Sequence, residues 1–134
     1  TDPRPEDGAL IGELLARMAA AGADFTNTFR ALATGDARGQ FADAKGFDDW
    51  AERWKARLAQ EPDPGSVMAA ANPAFIPRNH RIEQMIEAAV QGDYAPFDRL
   101  NRVLADPFTD RPDDADLMQP PRADEVVTAT FCGT

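Results

Sequence analysis

The side chain with the most distinctive chemistry in this sequence is Cys132, its only cysteine, set between Phe131 and Gly133 close to the carboxyl terminus. A cysteine used for packing usually sits inside a regular element among apolar neighbours. A thiol on a short accessible tail instead suits thiol–disulfide exchange with a cysteine elsewhere. The nearby terminal carboxylate disfavours a thiolate, so no unusually reactive sulfur is predicted, and an inert tail thiol is the plainer alternative. A lone cysteine excludes an internal disulfide, so the chain is no disulfide scaffold.

The only histidine, His80, follows Arg78 and Asn79 after the punctuated run Asn72-Pro73-Ala74-Phe75-Ile76-Pro77. Two readings stand side by side. His80 is a first-turn residue that bonds locally or faces solvent, or Arg78-Asn79-His80 form one polar constellation facing a cleft. An arginine at a helix start is unfavourable without an anionic partner, whether a carboxylate or a phosphate. A Cys132–His80 catalytic pair has no support from spacing.

The rest of the catalytic inventory is thin. No phosphate-cradling glycine motif is present, and Gly35 and Gly39 are isolated turn residues. One Cys and one His, far apart, do not make a zinc site, so no metal ligands are assigned. Trp50 and Trp54 share a helical stripe with Phe47 and Leu58, which predicts core. A small helical chain need not bury two indoles, so Trp50, Trp54 and Phe75 (held between Pro73 and Pro77) are also candidates for docking an upstream domain.

The elements that must position these residues are helices. Ile11, Leu14, Leu15 and Met18 recur at spacings of three and four, predicting a helix over 7–21 stopped by Gly22. Phe25, Phe29 and Leu32 predict a second helix, capped by Asp24 and followed by Gly35. Residues 36–46 read as loop, and a third helix spans 47–60. Glu61-Pro62-Asp63-Pro64-Gly65 is a stop, after which Ser66 caps a short helix through Ala71. Asn72-Pro73 ends it. Asn79 is the expected cap of a helix over 80–91 with Ile82, Met85, Ile86 and Ala89 inward. Asp93 caps a helix over 94–105 with the stripe Phe97, Leu100 and Leu104, tolerating Pro96 in its first turn.

Residues 109–124 hold three prolines and many aspartates and predict an irregular wrapped segment. Val126 to Phe131 is rich in β-formers and predicts an extended arm or an edge strand given to another sheet. The fold class is therefore all-α, with about six short helices in one domain over 1–108 and an irregular proline-rich arm over 109–134.

At 134 residues the chain can build one core. Its 14 basic and 23 acidic residues give a net charge of −9. This argues against nucleic acid, which calls for a basic patch, and against anionic membrane surfaces. No apolar run approaches the ~20 residues that span a bilayer, and no secretory leader is visible. The opening Thr1-Asp2-Pro3 lacks a methionine, as expected of an internal cut from a longer polypeptide. Cytoplasmic origin is the default.

Asn72-Pro73, Arg78-Asn79, Glu87-Ala88-Ala89 with Gly92-Asp93, Pro107-Phe108 and the final Cys132-Gly133-Thr134 resemble, in order and spacing, the C-terminal region of the SelO/YdiU family. Ala23-Asp24-Phe25-Thr26 with Phe29-Arg30 is similar to the family's preceding region. These are pseudokinase-fold protein adenylyltransferases. The resemblance implies a protein-kinase-like fold for the full-length protein, with ATP and magnesium as cofactors and AMP transfer to protein hydroxyls. It also implies that the nucleotide- and metal-binding residues lie upstream, so none is assigned here and the chain alone is expected to be inactive. Its partners would be the upstream kinase-like domain and the enzyme's protein substrates, with no nucleic acid and no membrane. A bacterial member would be cytoplasmic, and for a eukaryotic one the resemblance leaves a mitochondrial location open. The near-terminal cysteine or selenocysteine implies redox control, carried here by Cys132. Selenocysteine forms have a cysteine three residues earlier; Ala129 stands there in this chain, so a disulfide must reach another domain or molecule. Without an upstream ATP-binding region, the chain would instead be a stand-alone helical interaction module.

Overall fold

The predicted helical stripes become six α-helices in the computed structural model, which describes residues 3–130. They are α1 (Asp7–Ala21), α2 (Phe25–Leu32), α3 (Ala44–Leu58), α4 (Pro64–Ala71), α5 (Asn79–Val90) and α6 (Ala95–Leu104). Three 3-10 segments accompany them, Ala37–Gln40, Pro112–Met118 and Ala123–Glu125. Among the described residues there is no β-strand, and the fold class is all-α. No helix among them is long and apolar enough to cross a membrane.

Contacts gather into two compact units, 1–72 and 73–134. This partition by contact falls at Asn72-Pro73, whereas the sequence suggested a helical domain over 1–108 followed by a tail.

In the first unit, α1 packs on α3 and α2 on α4. Gly22 ends α1 in the left-handed conformation (φ 62°), where a side chain would clash with its own backbone. The Asp24 carboxylate accepts from the Asn27 amide and caps α2. The core is Leu14, Met18, Leu32, Ala37, Phe41, Phe47 and Trp50. Phe41 stacks on Phe47, and Trp50 stacks on Trp54 at a centroid distance of 5.6 Å.

Several local expectations are corrected. The loop expected over 36–46 contains a 3-10 turn, and α3 starts at Ala44 because Asp43 accepts from the Lys45 amide. The cap of α4 is Asp63, which accepts from Ser66; Ser66 is the donor, and Pro64 occupies the first turn. Ile11 and Leu15 of the α1 stripe stay 47% and 41% exposed, and Phe25 is exposed on α2. A helix meeting one neighbour buries only the middle of a stripe.

In the second unit, α5 and α6 pack as a pair. The core is Ala74, Phe75, Leu100, Val103 and Leu117, with Met85, Leu104 and Met118 packed against it. Ile86 and Phe97, expected inward, are exposed. Asn79 is the first residue of α5 and not its cap; Arg78 takes the capping position with no side-chain cap bond. Asp93 does satisfy the start of α6, accepting from the Ala95 amide at 3.0 Å. The 109–124 segment wraps as expected: its 3-10 turn Pro112–Met118 buries Asp114 and Leu117, and a second turn, Ala123–Glu125, follows with no buried residue. Residues 126–130 form neither helix nor strand.

Candidate functional site

The sequence-selected polar residues meet at the start of α5. The amides of Ala74 and Phe75 both donate to the Pro107 carbonyl, which fastens the segment before α5 to the end of α6. That anchorage sinks Phe75 into the second unit's core at 2% exposure, so it is not surface available for docking. Arg78 and His80 are buried while Asn79 is exposed, so the triplet does not face one way. The Arg78 carbonyl accepts from the Arg81 and Ile82 amides and starts the helix.

His80 is 4% exposed, and its Nε2 has no hydrogen-bond partner. Burial pushes its pKa down, helped by Arg81, Arg78 and Arg122 and opposed by Glu125. The imidazole is thus neutral at pH 7, a form suited to packing among arginines. Cys132 lies outside the described residues.

Around this point the acidic segment is pinned by arginines that the sequence reading did not single out. Arg81 donates to the Asp116 carbonyl at 2.8 Å and to Gln84, and Gln84 donates to Glu125. Arg99 of α6 bonds the Asp114 carboxylate at 2.8 Å and both oxygens of Asp116. Arg102 adds a longer contact to Asp114. The hydrogen bond from Arg99 holds the Asp116 carboxyl below the usual carboxylate range, and Asp116 and Asp114 together push Arg99 up. The only sequence signal for this was compositional: basic residues on two helices and an aspartate-rich segment needing counter-ions.

In the first unit Arg30 plays a comparable part. Its buried guanidinium donates to the carbonyls of Ala69 and Asn72 at 2.7 and 3.0 Å, satisfying acceptors at the end of α4. Trp50 is 1% exposed and its Nε1 donates to the Leu10 carbonyl, which makes it core and removes it from any docking surface. Trp54 is only half-buried. It lines an open groove of about 300 Å³ between α1, α3 and the start of α4, with Leu10, Ile11, Leu58, Val67 and Met68. At its edge Arg57 bonds Asp7 at 2.8 Å and also Glu61. The Arg57 bond holds the Asp7 carboxyl down, and Asp7 and Glu61 push Arg57 up.

Among the described residues no three His, Cys, Asp or Glu side chains are grouped so as to hold a metal ion. The geometry offers arginine clamps, a neutral histidine and an apolar groove, which are means of holding polypeptide together.

No protein-family model matches the chain. Individual relatives do. A protein nucleotidyltransferase YdiU of Ruegeria pomeroyi is 63% identical over 132 residues, 98% of this chain. The protein of the same name from Roseobacter denitrificans is 59% identical over 97% of the chain, and that of Bradyrhizobium sp. strain ORS 278 is 52% identical over 98%. The chain spans only 28%, 27% and 29% of these relatives' lengths. Their names and the depth of identity agree with the residue pattern at Asn72-Pro73, Arg78-Asn79 and Gly92-Asp93: the chain belongs to the SelO/YdiU family.

Proposed function

We propose that this chain is the C-terminal helical region of a protein adenylyltransferase, an enzyme that transfers AMP from ATP to hydroxyl side chains of proteins. The observation that carries this reading is 63% identity over nearly the whole chain to a protein nucleotidyltransferase of which the chain spans little more than a quarter. In the transfer, a protein hydroxyl oxygen attacks the α-phosphorus, the bond to the β-phosphate bridge breaks, pyrophosphate leaves, and the hydroxyl proton passes to a base. Catalysis of this kind rests on positioning and charge neutralisation.

ATP and magnesium belong, in this reading, to a kinase-like body formed by polypeptide outside these 134 residues. The present chain is a scaffold that packs on that body, with no nucleotide site of its own. Its protein substrates are those of the whole enzyme, its location cytoplasmic. Cys132 is the candidate thiol for a redox tie to a cysteine elsewhere. A second reading, a stand-alone helical interaction module, draws on the open groove beside Trp54.

Calorimetric titration of the 134-residue chain with magnesium and ATP tests the scaffold role. No heat of binding is expected, and micromolar affinity would overturn it.

A further inference from the structure

The groove beside Trp54 is an apolar concavity in the first unit that its own packing leaves open. Its floor is Leu10, Trp54, Leu58 and Met68, and its lips are Ile11 and Val67, which are 47% and 62% exposed. Pro62 and Pro64 stiffen the lip that leads into α4. Exposed apolar side chains around a concave floor are the usual form of a surface that takes an apolar segment.

The lining also has a sign. Asp7, Glu61 and Asp63 supply three carboxylates against the one guanidinium of Arg57, so the lining side chains carry two negative charges in excess. A second copy of this chain, at a net charge of −9, would bring more like charge to that mouth. A segment with lysine or arginine next to its apolar residues complements it. The relatives, of which this chain spans about 28%, supply a large body of further polypeptide from which such a segment can come.

We propose that this groove seats an apolar segment of the remaining polypeptide, one with a lysine or arginine within a turn of the residue that contacts Trp54. The proposal rests on the reading of the chain as part of a longer enzyme, and names the place where the body is held. Aromatic and thioether side chains at the floor favour a leucine, methionine or phenylalanine anchor. The acidic mouth orients the segment by placing its cation over Asp63 and the Asp7–Arg57–Glu61 cluster.

The test is site-specific photo-crosslinking in the intact polypeptide. A benzophenone side chain is placed at Val67, and in a second protein at Ile11, both exposed enough to accept it without disturbing the core. Crosslinked peptides are mapped by mass spectrometry. The expected result is one segment outside these 134 residues, captured from both positions, with Lys or Arg within about four residues of the crosslink, one helical turn away. Adding Leu58→Glu should reduce that crosslink at least tenfold while circular dichroism of the variant keeps the parent's helical signal. Crosslinks confined to these 134 residues, to a second copy, to an unrelated protein, or to a segment without a basic residue would overturn the proposal, as would no crosslink. AMP transfer by the same unmodified protein is read separately. Transfer without the crosslink fails the groove alone, and the crosslink without transfer fails the adenylyltransferase reading alone.

Discussion

The indole Nε1 of Trp50 donates to the carbonyl oxygen of Leu10 at 2.9 Å, joining α3 to α1 across 40 positions of sequence. The donor is buried, so replacing the indole gives up a hydrogen bond made inside the core. Trp50→Phe should destabilise the first unit by about 1–3 kcal/mol, from the lost hydrogen bond and the smaller ring. Trp54→Phe, at a half-buried position with no such bond, should cost less. Urea denaturation followed by circular dichroism checks the ordering; equal costs would contradict it.

Gly22 turns the chain out of α1 with φ of 62°, and an added Cβ would meet no neighbour within 4 Å. The penalty for a side chain there is therefore conformational alone. Gly22→Ala should lower stability by about 1 kcal/mol, and Gly22→Asn by less, because asparagine tolerates the left-handed region. Thermal melts of the two variants measure the difference. An unchanged midpoint in Gly22→Ala would show that the turn relaxes.

Arg99 fixes the 112–118 segment through Asp114 and Asp116. Arg99→Gln removes the main counter-charge beside a largely buried Asp114 carboxylate. It should cost about 1–2 kcal/mol, a figure kept low because Arg99 is itself partly exposed. Limited trypsin digestion offers the local readout: cleavage after Arg122, just beyond the segment, should quicken several-fold. Unchanged cleavage would mean that apolar burial of Leu117 holds the segment without the clamp.

His80 gives a pH dependence with a definite sign. Its pKa is lowered by burial, so between the folded value and the ordinary ~6.5 the unfolded chain binds more protons than the folded one. Stability from this group is fully present above pH 6.5 and is lost as pH falls through the folded value. Asp116, also lowered, loses its share only at more acidic pH, below the ordinary carboxylate value near 4. The urea midpoint should therefore decline between pH 7 and 5, and His80→Gln should flatten that decline. An equal slope in the variant would assign the effect to other groups.

Helix existence is legible in the sequence because spacing and stop signals coincide. For α1 the apolar spacing and Gly22 mark the bounds to the residue. Depth of burial is not legible in the same way. Leu14 and Leu15 are adjacent members of one stripe, yet only Leu14 is buried, since that depends on where α3 crosses. The roles of Trp50 and Phe75 are hidden for the same reason: aromatic residues at helical spacing, or between prolines, suit both a core and a docking face. The clamps of Arg81, Arg99 and Arg30 join residues 15 to 42 positions apart, and no period announces such pairs. The family was readable because turn residues such as Asn72-Pro73 and Gly92-Asp93, which fix backbone geometry, stand here in the order and spacing of the family's C-terminal region.

Transfer of labelled AMP from ATP to protein is the most direct test of the central claim. It should be measured with the intact polypeptide, reduced and oxidised, beside the 134-residue chain alone and the Cys132→Ser form of the whole protein. The account predicts label on protein with the intact polypeptide and none with the 134 residues, and transfer that rises on reduction only when Cys132 is present. Transfer insensitive to Cys132→Ser would remove the thiol switch and leave the enzyme. Failure of the intact polypeptide to label itself or any protein of a whole lysate would contradict the account.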